Sequence, residues 1–300
     1  MENLPSVTFN NRIPNIILSE LEQALGEKNW DLARELIKEY FLAVQEIVRG
    51  LRPEIEKKFP LTPKEAPKSP SLQAVKEDEN GSIENAISFL LNEKPFKLIP
   101  FSTGTAPYSC IDNFPLKVVV NGVEVPCTFV YEGILTTSES VFAAEKIINE
   151  ENLVSFFREK FGNIPFLEGK DDNDTASSRE VVLSLTELST KFAPRKLTCK
   201  NDFFTGSKLW DSKLRVWVMM KALLLKFTSN EILREILFKA VASEMSILGE
   251  IQNNNDFWTI LATDDSVGLL GAVASIVALL LETNTSFEEI CPIDVLEMLK

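Results

Sequence analysis

The stretch that most restricts the fold runs from Val267 to Leu281 and holds no charged side chain. It falls short of the roughly 20 apolar residues that a membrane-spanning helix needs, and it carries two glycines, Gly268 and Gly271. It therefore predicts a buried helix, which other elements of the chain have to cover. The chain has the means, since 300 residues of which 45% are hydrophobic can bury a sizeable core in one or two domains. Another apolar helical stretch runs from Trp210 through Phe227 and restarts over Asn230 to Glu250. The two stretches flank a polar turn, Glu250-Ile251-Gln252-Asn253-Asn254-Asn255-Asp256-Phe257-Trp258, which is the expected place for a site.

Upstream, Pro14 opens a helix to about Gly26, with Ile17, Leu18, Leu21 and Leu25 at helical spacing. Asn29 caps a longer helix whose stripe of Leu32, Leu36, Phe41, Val44, Ile47 and Val48 ends near Arg52-Pro53. Together they make an αα-hairpin. Prolines at 53, 60, 63, 67 and 70, set among Lys, Glu and Ser, give linker composition. A short helix is expected over Ile83 to Leu91, then strands over Lys97 to Phe101, Leu116 to Val120 and Val123 to Tyr131. Asn121-Gly122 between two β-branched runs is the strongest hairpin signal in the chain. Thr137 or Ser138 caps a helix from about Glu139 to Glu151, and further helix is expected over Leu153 to Phe161. The expected class is mainly α (α+β), divided as residues 1–55 helical hairpin, 56–96 Pro-rich linker and short helix, and 97–300 main domain.

The charge balance of −13 is spread along the chain with no Lys/Arg cluster, which disfavours nucleic acid and anionic membrane as partners. The chain has no histidine, so Ser-His-Asp catalysis, Cys-His catalysis and a His-built zinc site are excluded. Cys110, Cys127, Cys199 and Cys291 lack paired spacing, and the chain begins Met-Glu-Asn. That combination predicts reduced thiols in an intracellular, cytoplasmic or nuclear protein. The acidic run Glu168 to Ser178 reads as an exposed loop, without the placed glycine and closing glutamate of an EF-hand. No metal and no cofactor are expected.

A set of motifs beginning at Phe101 resembles the NADAR superfamily, mostly helical N-glycosidases acting on ADP-ribose conjugates or riboflavin-pathway intermediates. The motifs are Phe101-Ser102-Thr103, Asp112-Asn113-Phe114-Pro115 and the hairpin through Asn121-Gly122. Ser138-Glu139-Ser140-Val141-Phe142-Ala143-Ala144-Glu145-Lys146 is similar to the family's Ser-Glu-x-x-Phe-Gln-Ala-x-Lys helix. Trp210, Met219, Lys226-Phe227, Glu250, Trp258 and Leu270-Gly271 follow in the family's order, the resemblance covering residues 98–283. It implies a NADAR-like helical domain with a small β-hairpin element, preceded by the αα-hairpin. It also implies Glu139, and more weakly Asp256, as catalytic carboxylates, with Trp210, Trp258, Asn113, Phe114, Lys146 and Asn255 lining an ADP-ribose-like ligand. Taken alone, Glu139 reads equally as an acid favoured by a helix N-terminus, and the tryptophans as core.

Several positions depart from the family pattern. Aligned on Trp258, the family's Asp falls on Asn255, whose amide cannot take a proton as a carboxylate does. Where the family has a glycine-rich basic loop, this chain has Thr259 to Gly271 with Asp264 and Asp265 inside it, and these would repel a phosphate. Lys208 alone answers the family's Gly-Arg segment; Lys213 and Arg215 are the other nearby cations. The expected function is a degenerate NADAR-like domain, a pseudoenzyme that binds protein partners through its N-terminal helices. The alternative is a divergent N-glycosidase in which Glu139 acts with Asp256 or Glu250 on an ADP-ribose or ribose-phosphate conjugate.

Overall fold

The computed structural model describes residues 4–7, 12–59, 86–101, 108–112, 117–131, 134–138, 141–142, 215–242, 245–251, 258–261 and 268–298. In chain order the elements are β1 (Ser6–Val7), α1 (Pro14–Gly26), α2 (Trp30–Gly50), α3 (Arg52–Lys58), β2 (Ile87–Leu91), β3 (Lys94–Phe101), β4 (Lys117–Val120), β5 (Val123–Pro126), β6 (Phe129–Tyr131) and β7 (Ile134–Thr136). They continue with α4 (Arg215–Ser229), α5 (Glu231–Val241), β8 (Ser246–Glu250), α6 (Leu269–Glu282), α7 (Phe287–Ile290) and α8 (Ile293–Met298). Among the described residues 60% are helical and 20% lie in strands, so the class is α+β. No helix among them is long and apolar enough to cross a membrane. The chain divides into two compact units, Met1–Asp112 with Glu235–Ile290, and Asn113–Arg234 with Cys291–Lys300.

In the first unit a four-stranded sheet has the order β1-β2-β3-β8, with β1 parallel to β2, β2 antiparallel to β3, and β3 parallel to β8. Pro14 sits in the first turn of α1, where its missing N–H costs nothing. The helix closes through a left-handed residue at Lys28 (φ 58°), two positions beyond Gly26, with the Asn29 N–H donating to the Ala24 carbonyl at 2.8 Å. The Asn29 side chain then accepts from the Leu32 N–H at 3.3 Å and caps α2. Ile17, Leu21 and Leu25 of α1 and Leu36, Tyr40, Val44, Ile47 and Val48 of α2 are buried, and both helices pack on α6. Arg12 pairs with Glu20 and Glu39 across the exposed side of the hairpin.

The structure corrects three expectations. Ile87 to Leu91 is a strand and not helix; Ile87, Phe89 and Leu91 are the buried side chains, and Phe89 meets Phe96 of β3 with ring centroids 5.8 Å apart. In so short a run helical and strand periods both fit the apolar residues, and the deciding turn, Asn92-Glu93 with φ 48° and 68°, lacks the usual glycine. The helix expected over Asn230 to Glu250 ends at Val241, and Ser246–Glu250 pairs with β3. Its partner strand lies some 150 residues away in sequence, and no local pattern carries that pairing. Val123 to Tyr131 is two strands because β5 ends at Pro126, which cannot donate to a ladder; β6 pairs with β7 instead of β4.

Two further expectations match what is observed. Asn121 (φ 51°) and Gly122 (φ 78°) form the two-residue turn joining β4 to β5. From Leu269 to Leu280 every residue of α6 is buried. The helix lies so close to β8 that a Cβ on Gly271 would stand 2.0 Å from the Leu248 carbonyl oxygen. Tyr40 of α2 is fully buried and its hydroxyl bonds Ser275 of α6; burial pushes the phenol up to about 12.

Gly271→Ala is expected to cost at least about 2 kcal/mol in denaturant unfolding, because backbone has to move to admit the methyl group. Gly26→Ala, which meets nothing within 4 Å, is expected to be neutral or slightly stabilising. Tyr40 supplies a pH prediction. Below pH 10 both folded and unfolded phenols keep their protons; above it the unfolded chain releases one that the fold retains, so stability falls as pH rises toward about 12. The loss amounts to about 2–3 kcal/mol at the top of that window, and melting curves from pH 8 to 11 should show it reduced in Tyr40→Phe.

Candidate functional site

The polar turn that follows β8 has its two ends in the described structure. Glu250 is the last residue of β8, paired in register with Phe101 of β3, and the Ile251 N–H donates to the Phe101 carbonyl at 2.8 Å. On the other side of β8 a parallel bridge joins Glu250 to Thr259, and the Ile260 N–H donates to the Glu250 carbonyl at 2.9 Å. Thr259 and Trp258 in turn receive the start of α6: Gly268 N–H donates to the Thr259 carbonyl at 2.9 Å, and Leu270 N–H to the Trp258 carbonyl at 3.3 Å. The Thr259 hydroxyl accepts from the Leu261 N–H at 3.1 Å. Residues 250, 258–261 and 268–271 thus form one hydrogen-bonded corner.

Two glycines allow the corner to close. A Cβ on Gly249 would stand 2.6 Å from the Ile260 side chain, so Ile260 lies over the strand at that point. Gly268 adopts φ 77°, a left-handed conformation, and its α-carbon faces Val48 of α2, whose methyl would lie 3.3 Å from a Cβ there. Arg52, the first residue of α3, donates from Nη2 to the Leu261 carbonyl at 3.1 Å and from Nε to Glu56 at 2.6 Å.

Of the residues expected to form the site, the described structure contains Trp258 and, for the alternative reading, Glu250. The Trp258 side chain is 5% exposed, too little for a ring face to lie open, and Thr259, Ile260 and Leu261 beside it are buried as well. Glu250 is 2% exposed, a carboxylate inside the fold, which is costly unless the charge is met by partners. Glu139, Asp256, Trp210, Asn113, Phe114, Lys146 and Asn255 lie outside the described residues, as do Lys208, Lys213, the acidic run Glu168 to Ser178 and the helix expected over Leu153 to Phe161.

In the second unit a helical turn begins at Ser138, with the Val141 N–H donating to the Thr137 carbonyl at 3.0 Å; Thr137 and Ser138 are both buried. Val141 packs with Phe129 of β6 and Ala222 of α4, flanked by Tyr131 and Leu225. The segment that opens at Ser138 is therefore held against the helix that carries Met219 and Lys226. Lys226 is buried, with its ammonium 5.6 Å from the centroid of the Phe227 ring. The half-buried Lys221 of the same helix is tethered differently, donating to the Tyr131 hydroxyl at 3.1 Å. No group of three or more metal-ligating side chains occurs among the described residues.

Arg52 and Val48 were invisible to sequence reasoning as members of this corner. Leu261 lies 209 positions from Arg52, and Arg-Pro reads locally only as a helix boundary. Trp258→Ala is expected to cost about 3–5 kcal/mol in chemical unfolding, as for other large buried aromatics, and Trp258→Phe clearly less. Equal costs for the two variants would contradict the burial. Compared with protein-family models, curated proteins and solved structures, the chain matches none of them.

Proposed function

We propose that the chain carries a NADAR-like domain that has lost its reaction and serves as a protein-interaction or assembly module. The observation that carries the reading is the burial of Trp258 within a closed corner, where no ring face is left for a base or ribose to stack on. Support for the NADAR-like scaffold comes from which segments meet. Phe101 pairs with Glu250, Trp258 bonds the start of α6, Gly271 lies against β8, and the segment beginning at Ser138 packs on α4. These pairings join motif segments separated by up to about 150 residues. Support for a lost reaction comes from the residue types: Asn255 stands where the family has an acid, and Asp264 and Asp265 stand in the place of a phosphate-binding loop. The docking surface of the reading is the N-terminal hairpin, where Ile16, Leu32 and Leu42 are exposed apolar side chains and the acidic chain favours a partner of complementary charge.

One observation favours the second reading, a divergent N-glycosidase: the buried carboxylate of Glu250. In that mechanism water attacks the anomeric carbon while the C–N bond breaks, its electron pair leaving with the base, which takes up a proton. Glu139 would accept the proton of the attacking water, with Asp256 or Glu250 as the proton donor.

Calorimetry with ADP-ribose at physiological salt separates the two. The interaction-module reading expects no heat up to millimolar ligand from the folded chain. Micromolar binding that Trp210→Ala or Glu139→Ala removes, together with release of free ADP-ribose from a conjugate that Glu139→Gln abolishes, would overturn it in favour of the glycosidase.

A further inference from the structure

The geometry points to Arg52 as a positioning residue through which the N-terminal helices hold the Trp258–Gly268 corner of the candidate site. The inference rests on the corner's geometry and not on the family reading. Residues 258–261 are tied to β8 through the Glu250 carbonyl and to α6 through Gly268 and Leu270. A third tie comes from outside that stretch of sequence: the Arg52 guanidinium reaches the Leu261 carbonyl at 3.1 Å while its Nε is held by Glu56 at 2.6 Å. Leu261 is the last described residue before the segment 262–267, and Gly268, the first after it, lies against Val48 one turn earlier in the same helical stretch. Both ends of the acidic segment are thus anchored on α2 and α3.

The chemistry fits positioning better than bulk stability. The Leu261 carbonyl is buried and needs a donor; a planar guanidinium serves it and a carboxylate at once, in a fixed fork that an ammonium cannot copy. The Arg52 side chain is 23% exposed, so truncating it leaves no large cavity. What truncation removes is the donor at the base of the segment.

Hydrogen–deuterium exchange on the full chain tests this, read on peptides covering 258–268 and, for comparison, α1 and β2. Arg52→Ala is expected to raise exchange in 258–268 about tenfold, with α1 and β2 changed little, and Arg52→Lys is expected to restore part of the protection. Leu21→Ala serves as a control that loosens the same unit from the buried face of α1. The inference is overturned if 258–268 exchanges at the wild-type rate in Arg52→Ala, or if Leu21→Ala at matched destabilisation raises it equally. Arg52→Lys keeps the test decisive should the alanine variant fold poorly.

Discussion

The approach of Gly271 to the Leu248 carbonyl sets the layout of the first unit. β8 is the outer strand of the sheet, and an outer strand presents carbonyls and amides that need cover. Here α6 comes close enough to lie directly on one of those carbonyls, which only a residue without a Cβ permits. The Thr259–Ile260 bridge covers the next position at Glu250. An apolar helix seated against the strand on one side and against α1 and α2 on another has nowhere to place a charge, which accounts for the uncharged run from Leu269 to Leu281. Ser275, the polar side chain within that run, is internally bonded: its hydroxyl donates to the Gly271 carbonyl at 3.1 Å and also meets Tyr40.

The parts of the fold that could be read from sequence are those with a local physical cause. Pro14, Asn29, Asn121-Gly122 and the uncharged run each act through their own φ preference, capping oxygen or lack of charge, and each marks an element edge or a buried helix. The parts that could not be read depend on distant partners. β8 becomes a strand because β3 offers it a parallel ladder, and β2 because the two left-handed residues Asn92 and Glu93 fold it back onto β3 without a glycine to announce the turn. At the candidate site Glu250 and Trp258 were legible as a pair of residue types flanking a polar turn. That Leu261 and Gly268, just beyond that turn, are held by Arg52 and Val48 was not, since Arg52 and Val48 come from segments whose local pattern speaks only of helices.

Glu250 and Trp258 carry opposite implications, and their burial bears on both. A carboxylate taken out of water needs compensating charge or hydrogen bonds, so its presence inside the fold is a cost that a purely architectural role could avoid with a neutral residue. A tryptophan at the same corner gains from burial and needs no further reason to be there. Trp258 therefore fits the architecture as it stands, whereas the Glu250 carboxylate is a group whose charge its surroundings have to compensate.

The anchoring of the corner also explains how a chain could exchange the chemistry of its 262–267 segment without losing the fold. The segment's ends are fixed by the Gly268 N–H donating to the Thr259 carbonyl and by the Arg52 guanidinium donating to the Leu261 carbonyl, neither of which depends on the side chains between them. Joining two held ends across a stretch of that length costs much the same entropy whatever its composition. Acidic residues in such a segment would weaken phosphate binding yet leave the strand, the helix and their contact untouched. A scaffold built in this way separates the chemistry of one segment from the packing that holds the fold together.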